Sequence, residues 1–212
     1  MAGIVDPSGG TINSQCAIFL DRDGTLIEDR GFLRKPSEVH LIPDVIESLR
    51  LLADRYLLFI VTNQTGVGEG ALAMRDVDTV NRHLLGIFAA SGVDIASVFV
   101  CPHKRTDDCA CIKPKPYFLE KAARDYALDL SSSFVIGDHP HDVDLARNAG
   151  ARGVYVLTGH GVKHQSELAD DAVVVPGIKE AVEWICAMDA MNSRSGSAFL
   201  EAAHTKGDRA NE

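Results

Sequence analysis

The chain has 212 residues, of which 46% are hydrophobic and 24% charged, so it is long enough for one compact domain and too apolar for a disordered protein. Its formal net charge is −9 and no run of lysine or arginine occurs, which argues against binding to nucleic acid or to an anionic membrane surface. No apolar run approaches the roughly 20 residues that cross a bilayer, so no membrane segment is expected.

Short apolar runs alternate along the chain with stretches of helical periodicity. The apolar runs predict six buried strands, at residues 17–20, 57–61, 95–100, 134–136, 153–157 and 172–175. Helical spacing predicts five helices, at residues 45–53, 77–88, 117–127, 142–149 and 178–188. Because the strands are apolar throughout, the predicted fold class is α/β, a Rossmann-like open parallel sheet with helices on both faces.

The termini and the cysteines indicate the domain limits and the compartment. Residues 1–14 contain proline, glycine and serine but no basic start or apolar core, so we expect a flexible leader and no secretion signal. Residues 15–190 are expected to form a single domain, and residues 191–212 a disordered tail that is poor in apolar side chains. Five cysteines without a secretion signal argue against a disulfide framework and predict a reducing, cytoplasmic location.

Acidic, hydroxyl and lysine side chains follow the predicted strands. Asp21 and Asp23 come after the first strand, and Thr62 after the second. Asp138 follows the fourth strand, and Lys113 lies in the loop after the third. Since the carboxyl ends of parallel strands meet at one edge, where open sheets bind ligands, we expect these side chains to form one site.

This set of side chains suits phosphoryl transfer through a covalent carboxylate. Of the pair Asp21 and Asp23, one carboxylate can attack phosphorus while the other protonates the leaving oxygen and then activates water. The carboxylates of Asp21 and Asp23 would repel an anionic substrate, so a divalent cation is required between them. Asp138 supplies a further oxygen ligand for that cation. Thr62 can donate a hydrogen bond to a phosphoryl oxygen, and Lys113 can neutralise charge that develops in the transition state.

Four ordered segments resemble the motifs of the haloacid dehalogenase (HAD) superfamily of phosphatases. Over about residues 17–175 these are Asp21-Arg22-Asp23-Gly24-Thr25, Val61-Thr62-Asn63-Gln64, Lys113-Pro114 and Gly137-Asp138 with Asp142. The resemblance implies that Asp21 is the nucleophile and Asp23 the general acid/base. It further implies a catalytic Mg²⁺ on Asp21, Asp138 and the Asp23 backbone carbonyl. Thr62 and Lys113 would hold the phosphoryl group, and Asp142 would be an outer or occasional metal ligand.

Three cysteines and a histidine lie close together in the sequence, as Cys101, His103, Cys109 and Cys111. Soft thiolates and an imidazole at this spacing predict a tetrahedral Zn²⁺ site. Four protein ligands leave no open coordination position, so this zinc is predicted to be structural. Its expected role is to stiffen the loop that carries Lys113 into the active site.

The chain has this zinc loop and lacks a large insertion, and in both respects it resembles the heptose bisphosphate and histidinol phosphate phosphatases of that superfamily. About 18 residues separate Thr25 from Pro43, too few for a cap domain, so a small substrate is expected. The resemblance places four residues on a substrate-facing loop: Asp29, Arg30, Gly31 and Phe32. It also places Asn63 and Gln64 against the substrate.

Three positions depart from the pattern of that group. Ile112 precedes the motif lysine where arginine is usual, Glu69 stands where arginine is common, and His139 replaces a basic residue. Without the arginine a bidentate phosphate clamp is lost, and Glu69 would repel a second phosphate. His139 is adjacent to Asp138 and is expected to contact the substrate. The basic candidates for binding a second phosphate are Arg30, Arg34, Lys35, Lys104, Arg105 and Lys115.

The leading expectation is a Mg²⁺-dependent phosphatase that removes the 7-phosphate of D-glycero-D-manno-heptose 1,7-bisphosphate. Histidinol phosphate or another small monophosphate is the alternative substrate. A catalytically silent binding domain, and a phosphotransferase with an acceptor other than water, are the alternatives to hydrolysis. The expected partner is a small phosphate ester, with no nucleic acid and no membrane, and the chain is expected to be a monomer.

Overall fold

The computed structural model describes residues 15–191 of the chain. Its strands, in chain order, are β1 (Ala17–Leu20), β2 (Leu57–Asn63), β3 (Ser97–Cys101), β4 (Phe134–Gly137), β5 (Arg152–Val156) and β6 (Val173–Val175). They form one sheet in the order β3-β2-β1-β4-β5-β6. Every neighbouring pair of strands in this sheet is parallel.

Seven helices connect or follow the strands within residues 15–191. They are α1 (Val45–Ala53), α2 (Thr65–Gly68), α3 (Met74–Ala90), α4 (Tyr117–Tyr126), α5 (Pro140–Ala149), α6 (Gly161–His164) and α7, which covers residues 178–191. Short 3-10 turns lie at Pro36–Glu38, Leu130–Ser132 and Gln165–Glu167. None of the described helices is long and apolar enough to cross a membrane.

The sheet forms because its strands carry apolar side chains on both faces, and helices bury both. In β1, Ala17 and Phe19 point to one face while Ile18 and Leu20 point to the other, and all four are fully buried. Apolar residues of α1, α3 and α7 cover the Ile18 face, and those of α4 and α5 cover the Phe19 face. The predicted Rossmann-like architecture is confirmed.

The strand order creates a crevice at the centre of the sheet. β1 and β4 are neighbours, with Phe19 beside Val135, although the chain forms β2 and β3 between them. The sheet grows through β2 and β3 on one side and through β5 and β6 on the other. Loops that leave β1 and β4 therefore diverge, which is where open α/β sheets bind ligands. Asp21 and Asp138 are the first residues after these two strands.

The predicted strands lie within a few residues of the observed ones, and β1 has the predicted limits. β2 extends to Asn63, so Thr62 belongs to the strand and not to the loop that follows it. β3 begins at Ser97, later than expected, and includes Cys101. Helices α2 and α6 were not predicted, because a single turn is too short to show an apolar period. The predicted leader at 1–14 and the tail beyond residue 191 lie outside the described residues.

Candidate active site

A cavity of about 310 Å³ opens at the carboxyl edge of the sheet. Its lining includes the four residues predicted to be catalytic, which are Asp21, Asp23, Thr62 and Lys113. The predicted metal ligands Asp138 and Asp142 and the predicted substrate contact His139 also line it. The fold therefore brings together side chains from β2, from the loops after β1, β3 and β4, and from α5.

Lys113 lies in this cavity between two carboxylates. Its Nζ atom is 2.5 Å from Asp21 Oδ1 and 2.7 Å from Asp142 Oδ1, and all three residues are buried. Burial by itself would lower the pKa of Lys113, but the carboxylates of Asp142 and Asp21 outweigh it and raise that pKa. Lys113 is therefore charged at neutral pH and can stabilise negative charge beside Asp21.

Three buried carboxylates lie close together with this one lysine among them. One oxygen each from Asp21, Asp138 and Asp142 lies within 4.8 Å of the others. Burial, opposed in part by Lys113, raises the pKa of Asp21. Burial, together with the charge of Asp142, raises the pKa of Asp138 to about 6. Three buried carboxylates surround a single ammonium group, so this oxygen donor set fits a divalent cation such as Mg²⁺.

Asp23 is held in place on several sides. Gln64 Nε2 donates to Asp23 Oδ2 over 2.8 Å, and Thr62 Oγ1 lies 3.4 Å from the same oxygen. Arg22 donates to both oxygens of Asp23 over 2.8 to 3.0 Å. Gln64 is buried and does not line the cavity, so the structure places it against Asp23 where the sequence predicted a substrate contact.

Asn63 connects β2 to the loop that carries Lys113. Its Oδ1 atom accepts a hydrogen bond from the Lys113 backbone N–H over 3.1 Å, and the Lys113–Pro114 peptide bond is cis. On the other side of this loop, Asn148 in α5 donates to the Pro114 carbonyl over 2.9 Å. Asn63 also lines the cavity, so it joins the cavity wall to the loop that carries Lys113.

The loop after β5 approaches the metal-ligand side of the cavity at Gly159. This residue has a φ of +53°, and a Cβ atom there would overlap Asp138 Oδ2 and Gly24 Cα. Thr158 Oγ1 donates to the Gly24 carbonyl over 2.6 Å, and the His160 backbone N–H donates to Asp138 Oδ2 over 2.7 Å. Glycine at this position therefore lets the backbone come close enough to orient Asp138.

The predicted substrate-facing loop after β1 reaches the cavity at a single residue. Asp29 lines the cavity, and its Oδ2 atom lies 2.9 Å from His160 Nε2. Arg30 and Phe32 are exposed, and Gly31 between them has a φ of +77°, which suits a turn. None of these three is among the residues that line the cavity, so the structure brings only Asp29 of the four to the site.

One wall of the cavity contains His139 and Arg105, which the sequence offered as candidates for binding substrate, and further basic side chains. It is formed by His139, His141, His160, His164, Arg105 and Lys163, and we call it the histidine wall. The rings of His139 and His141 stack with centroids 4.5 Å apart, and His164 lies 4.7 Å from His139. Burial and the neighbouring His141 lower the pKa of His139 to about 4, so it is neutral at pH 7. Sequence reasoning missed Lys163, and its position in the segment that follows the fifth predicted strand was the signal that could have revealed it.

The structure also shows which of the residues considered for a second phosphate line the cavity. Of the six basic candidates, only Arg105 lines the cavity, and its Nη1 atom lies 3.5 Å from His141 Nε2. Ile112 is buried and lies outside the lining. Glu69 is exposed and also lies outside it, so the expected repulsion of a second phosphate by Glu69 does not arise in this cavity.

The four predicted zinc ligands come together beside the Lys113 loop. Cys101 Sγ lies 3.3 Å from Cys111 Sγ and 3.8 Å from both Cys109 Sγ and His103 Nδ1. Bonds of about 2.3 Å to a tetrahedral zinc separate the ligand atoms by about 3.8 Å. All three cysteines are free thiols. The donor set and its spacing therefore fit a closed four-ligand zinc site.

Comparisons with known proteins identify related phosphatases. A family profile described as HAD-hydrolase-like matches residues 110–181. D-glycero-D-manno-heptose-1,7-bisphosphate 7-phosphatase of Thermosynechococcus vestitus is 32% identical over 186 residues, which cover 80% of this chain and 95% of that protein. The histidine biosynthesis bifunctional protein HisB of Actinobacillus pleuropneumoniae is 35% identical over 144 residues, which cover 66% of this chain and 40% of that protein.

A solved structure extends the similarity to three dimensions. The D,D-heptose 1,7-bisphosphate phosphatase from B. bronchiseptica, complexed with magnesium and phosphate, matches with a TM-score of 0.76 and 28% identity. The match covers 82% of this chain and 99% of that one. The sequence match covers nearly the whole of a related phosphatase, and the fold is shared. The chain therefore belongs to the HAD-like hydrolase family and is a phosphatase.

Proposed function

We propose that the chain is a Mg²⁺-dependent phosphomonoester hydrolase that removes the 7-phosphate of D-glycero-D-manno-heptose 1,7-bisphosphate through an aspartyl-phosphate. The observation that carries this proposal is one cavity lined by Asp21, Asp23, Lys113 and the carboxylates of Asp138 and Asp142. Related proteins from Thermosynechococcus vestitus and from Helicobacter pylori are named for this activity. Membership of a phosphatase family argues against a catalytically silent domain.

In the first step, a carboxylate oxygen of Asp21 attacks the phosphorus and forms the aspartyl-phosphate. The bond between phosphorus and the sugar oxygen breaks, and Asp23 donates its proton to that leaving oxygen. Lys113, 2.5 Å from Asp21 Oδ1, supplies positive charge next to the reacting phosphoryl group. Thr62 lines the same cavity, and its hydroxyl would donate a hydrogen bond to a phosphoryl oxygen.

In the second step, a water molecule attacks the phosphorus of the aspartyl-phosphate. Asp23, now a carboxylate, takes a proton from that water, the bond between phosphorus and the Asp21 oxygen breaks, and inorganic phosphate leaves. Asp23 regains its proton and Asp21 its carboxylate, so the chain returns to its starting state. The position of Asp23 beside Asp21 in the cavity lining supports water as the acceptor, and thus hydrolysis over phosphotransfer.

A magnesium ion, when bound, offsets the negative charge of the carboxylates and of the phosphate. Asp21, Asp138 and the backbone carbonyl of Asp23 would hold it. Asp142 Oδ1 is 2.7 Å from Lys113 Nζ, and Asp142 Oδ2 accepts a hydrogen bond from the His139 backbone N–H over 3.1 Å. Because both Asp142 oxygens already have partners, an outer position around the metal suits this residue.

The histidine wall supports a substrate with a second negative group. Among the described residues, neither Arg105 nor Lys163 forms an ion pair with a carboxylate. Asp29, which carries negative charge near this wall, is engaged by His160 at 2.9 Å. A sugar phosphate bound at Asp21 would extend towards the wall, where Arg105 and Lys163 attract a second phosphate. The same two cations would repel the positively charged amine of histidinol phosphate.

Substrate choice is tested by measuring phosphate release from heptose 1,7-bisphosphate, histidinol phosphate and 4-nitrophenyl phosphate. We expect the highest kcat/KM for the bisphosphate. Replacing Arg105 and Lys163 by alanine should raise its KM by roughly tenfold or more, since a hydrogen bond to a charged group contributes about 1.5–3 kcal/mol. Turnover of 4-nitrophenyl phosphate, which has no second phosphate, should change little.

Lys104→Ala is the matched control for this substrate test, because Lys104 neighbours Arg105 but does not line the cavity. It should leave the KM for the bisphosphate unchanged. A higher kcat/KM for histidinol phosphate than for the bisphosphate would assign the alternative substrate, which the HisB match favours.

Zinc is proposed to hold the Lys113 loop against the sheet. Cys101 ends β3 and Cys111 lies two residues before Lys113, so one ion bound to both ties the loop to the strand. Removing the zinc, or replacing Cys109 by serine, should lower kcat with Mg²⁺ present. We expect a fall in Tm of roughly 5 °C or more, since about 1 kcal/mol shifts Tm by roughly 2–4 °C at this size.

Cys186→Ser serves as the control for the zinc prediction, because Cys186 is a free thiol outside the cluster. It should leave kcat unchanged and lower Tm by less than the loss of zinc does, because Cys186 is only partly buried against the core. A zinc-free protein with full activity and an unchanged Tm would contradict the structural role of the ion.

We infer that the chain acts as a single domain over residues 15–190 and as a monomer in the cytoplasm. Every side chain used in the two chemical steps belongs to this one cavity, so the proposed mechanism requires no residue from a second copy. Free thiols in the proposed zinc cluster support a reducing compartment. The charge and size of the cavity support a small phosphate ester as the partner. Light scattering during gel filtration would measure the oligomeric state directly.

A further inference from the structure

Arg22 is a charged side chain in the interior of the molecule that the two chemical steps above do not use. It lies between Asp21 and Asp23 in the sequence, and only 1% of its surface is exposed. Taking a guanidinium out of water is strongly unfavourable unless its N–H groups are paired. The pairing of this side chain therefore indicates what the buried charge does.

One side of the Arg22 guanidinium forms a two-pronged contact with the Asp23 carboxylate. Nε donates to Oδ2 over 3.0 Å, and Nη2 donates to Oδ1 over 3.0 Å and to Oδ2 over 2.8 Å. A planar guanidinium that meets both carboxylate oxygens fixes the plane of the carboxylate as well as its position. Lysine, with a single ammonium, would not impose this orientation.

The remaining nitrogen of Arg22 is bound from a different part of the fold. Nη1 donates to Asn81 Oδ1 over 2.7 Å, and Asn81 is 7% exposed in the middle of α3. Its helix is fixed to the sheet by the fully buried side chains of Val80 and Leu84. Asn81 thus holds the far end of Arg22, so the orientation of Asp23 depends on a helix that does not itself line the cavity.

We propose that Arg22, held by Asn81, is a positioning residue that orients the Asp23 carboxylate for proton transfer. This inference rests on the proposed acid/base role of Asp23. Gln64 Nε2 also donates to Asp23 Oδ2, over 2.8 Å, although Gln64 does not line the cavity. Among the described residues, the side-chain hydrogen bonds of Arg22 go to Asp23 and Asn81, and none goes to Asp21, Asp138 or Asp142.

A positioning role makes a specific kinetic prediction with 4-nitrophenyl phosphate. Its leaving group is stable as an anion and needs no proton, so formation of the aspartyl-phosphate does not require Asp23. Hydrolysis of the aspartyl-phosphate still requires Asp23 to take a proton from water. Loosening Asp23 should therefore slow the second step and spare the first, so that the aspartyl-phosphate accumulates.

The experiment measures nitrophenolate release by stopped flow in Asn81→Ala and in Arg22→Met. We expect a burst of about one nitrophenolate per active site at the wild-type rate, followed by slower steady-state turnover. The steady-state loss should be about tenfold for Asn81→Ala and larger for Arg22→Met, within the roughly 10²–10⁴-fold that general acid–base catalysis contributes. Asn81→Asp, which keeps the acceptor oxygen, should retain most of the wild-type turnover.

Arg82→Ala is the control for nonspecific effects, because Arg82 is exposed on the same helix as Asn81. In an Asp23→Asn background, Asn81→Ala should cause no further loss, because its effect passes through Asp23. Equal slowing of the burst and the steady state, or no change in either, would overturn the positioning role. If Asp23→Asn itself leaves turnover intact, the proposed role of Asp23 fails instead. If Arg22→Met does not fold, the pair Asn81→Ala and Asn81→Asp still decides the outcome.

Discussion

Replacing Asp21 by asparagine is expected to lower kcat for every phosphate ester by roughly 10⁴-fold or more. The amide lacks the carboxylate oxygen that bonds to phosphorus in the first step, so no aspartyl-phosphate forms. The shape of the cavity should change little, because asparagine has nearly the same volume and Lys113 keeps its contact to Asp142 at 2.7 Å. The loss should therefore appear in kcat and not in the folding of the chain.

Two measurements check this result. Phosphate release gives the turnover, and acid quenching of the enzyme during turnover traps any covalent phosphate. Asp171→Asn is the matched control, because the side chain of Asp171 is 80% exposed and remote from the cavity lining. Turnover by the Asp21 variant, or covalent phosphate trapped on it, would remove Asp21 from the role of nucleophile.

Replacing Lys113 by methionine is expected to reduce both activity and stability. Methionine retains the apolar stem, but it leaves the buried carboxylates of Asp21 and Asp142 without the cation that lies 2.5 and 2.7 Å from them. Removing one partner of a buried ion pair costs about 3–5 kcal/mol. Losing the positive charge beside the phosphoryl group should lower kcat by roughly 10²–10³-fold.

Denaturant unfolding with and without Mg²⁺ separates the two effects of the Lys113 change. Added Mg²⁺ should restore part of the free energy of unfolding, because a cation again compensates the carboxylates, but it should not restore kcat. Lys121→Met is the control: Lys121 lies on α4, its side chain is 42% exposed, and its surface pair with Asp125 contributes little to stability. Equal losses of stability in the two variants would contradict the buried ion-pair account.

The architecture was predictable because buried segments have a regular pattern of apolar residues in the sequence. A parallel strand covered on both faces must be apolar throughout, and Ala17–Leu20 and Phe134–Gly137 are fully buried accordingly. Once the sheet was predicted, the residues directly after its strands had to meet at one edge. The convergence of Asp21, Thr62 and Asp138 therefore followed from local patterns, and so did the close spacing of the cysteine cluster.

The sequence alone thus predicted the sheet, the side chains for phosphoryl transfer and the four candidate ligands for zinc. Only the tertiary structure decided which surface loops reach the cavity. It admits Asp29 but not Arg30, and it adds Lys163 from a one-turn helix that shows no period. It also turned Arg22 inward onto Asp23 and Asn81. These outcomes depend on packing between segments far apart in the chain, and periodicity within one segment carries no information about such contacts.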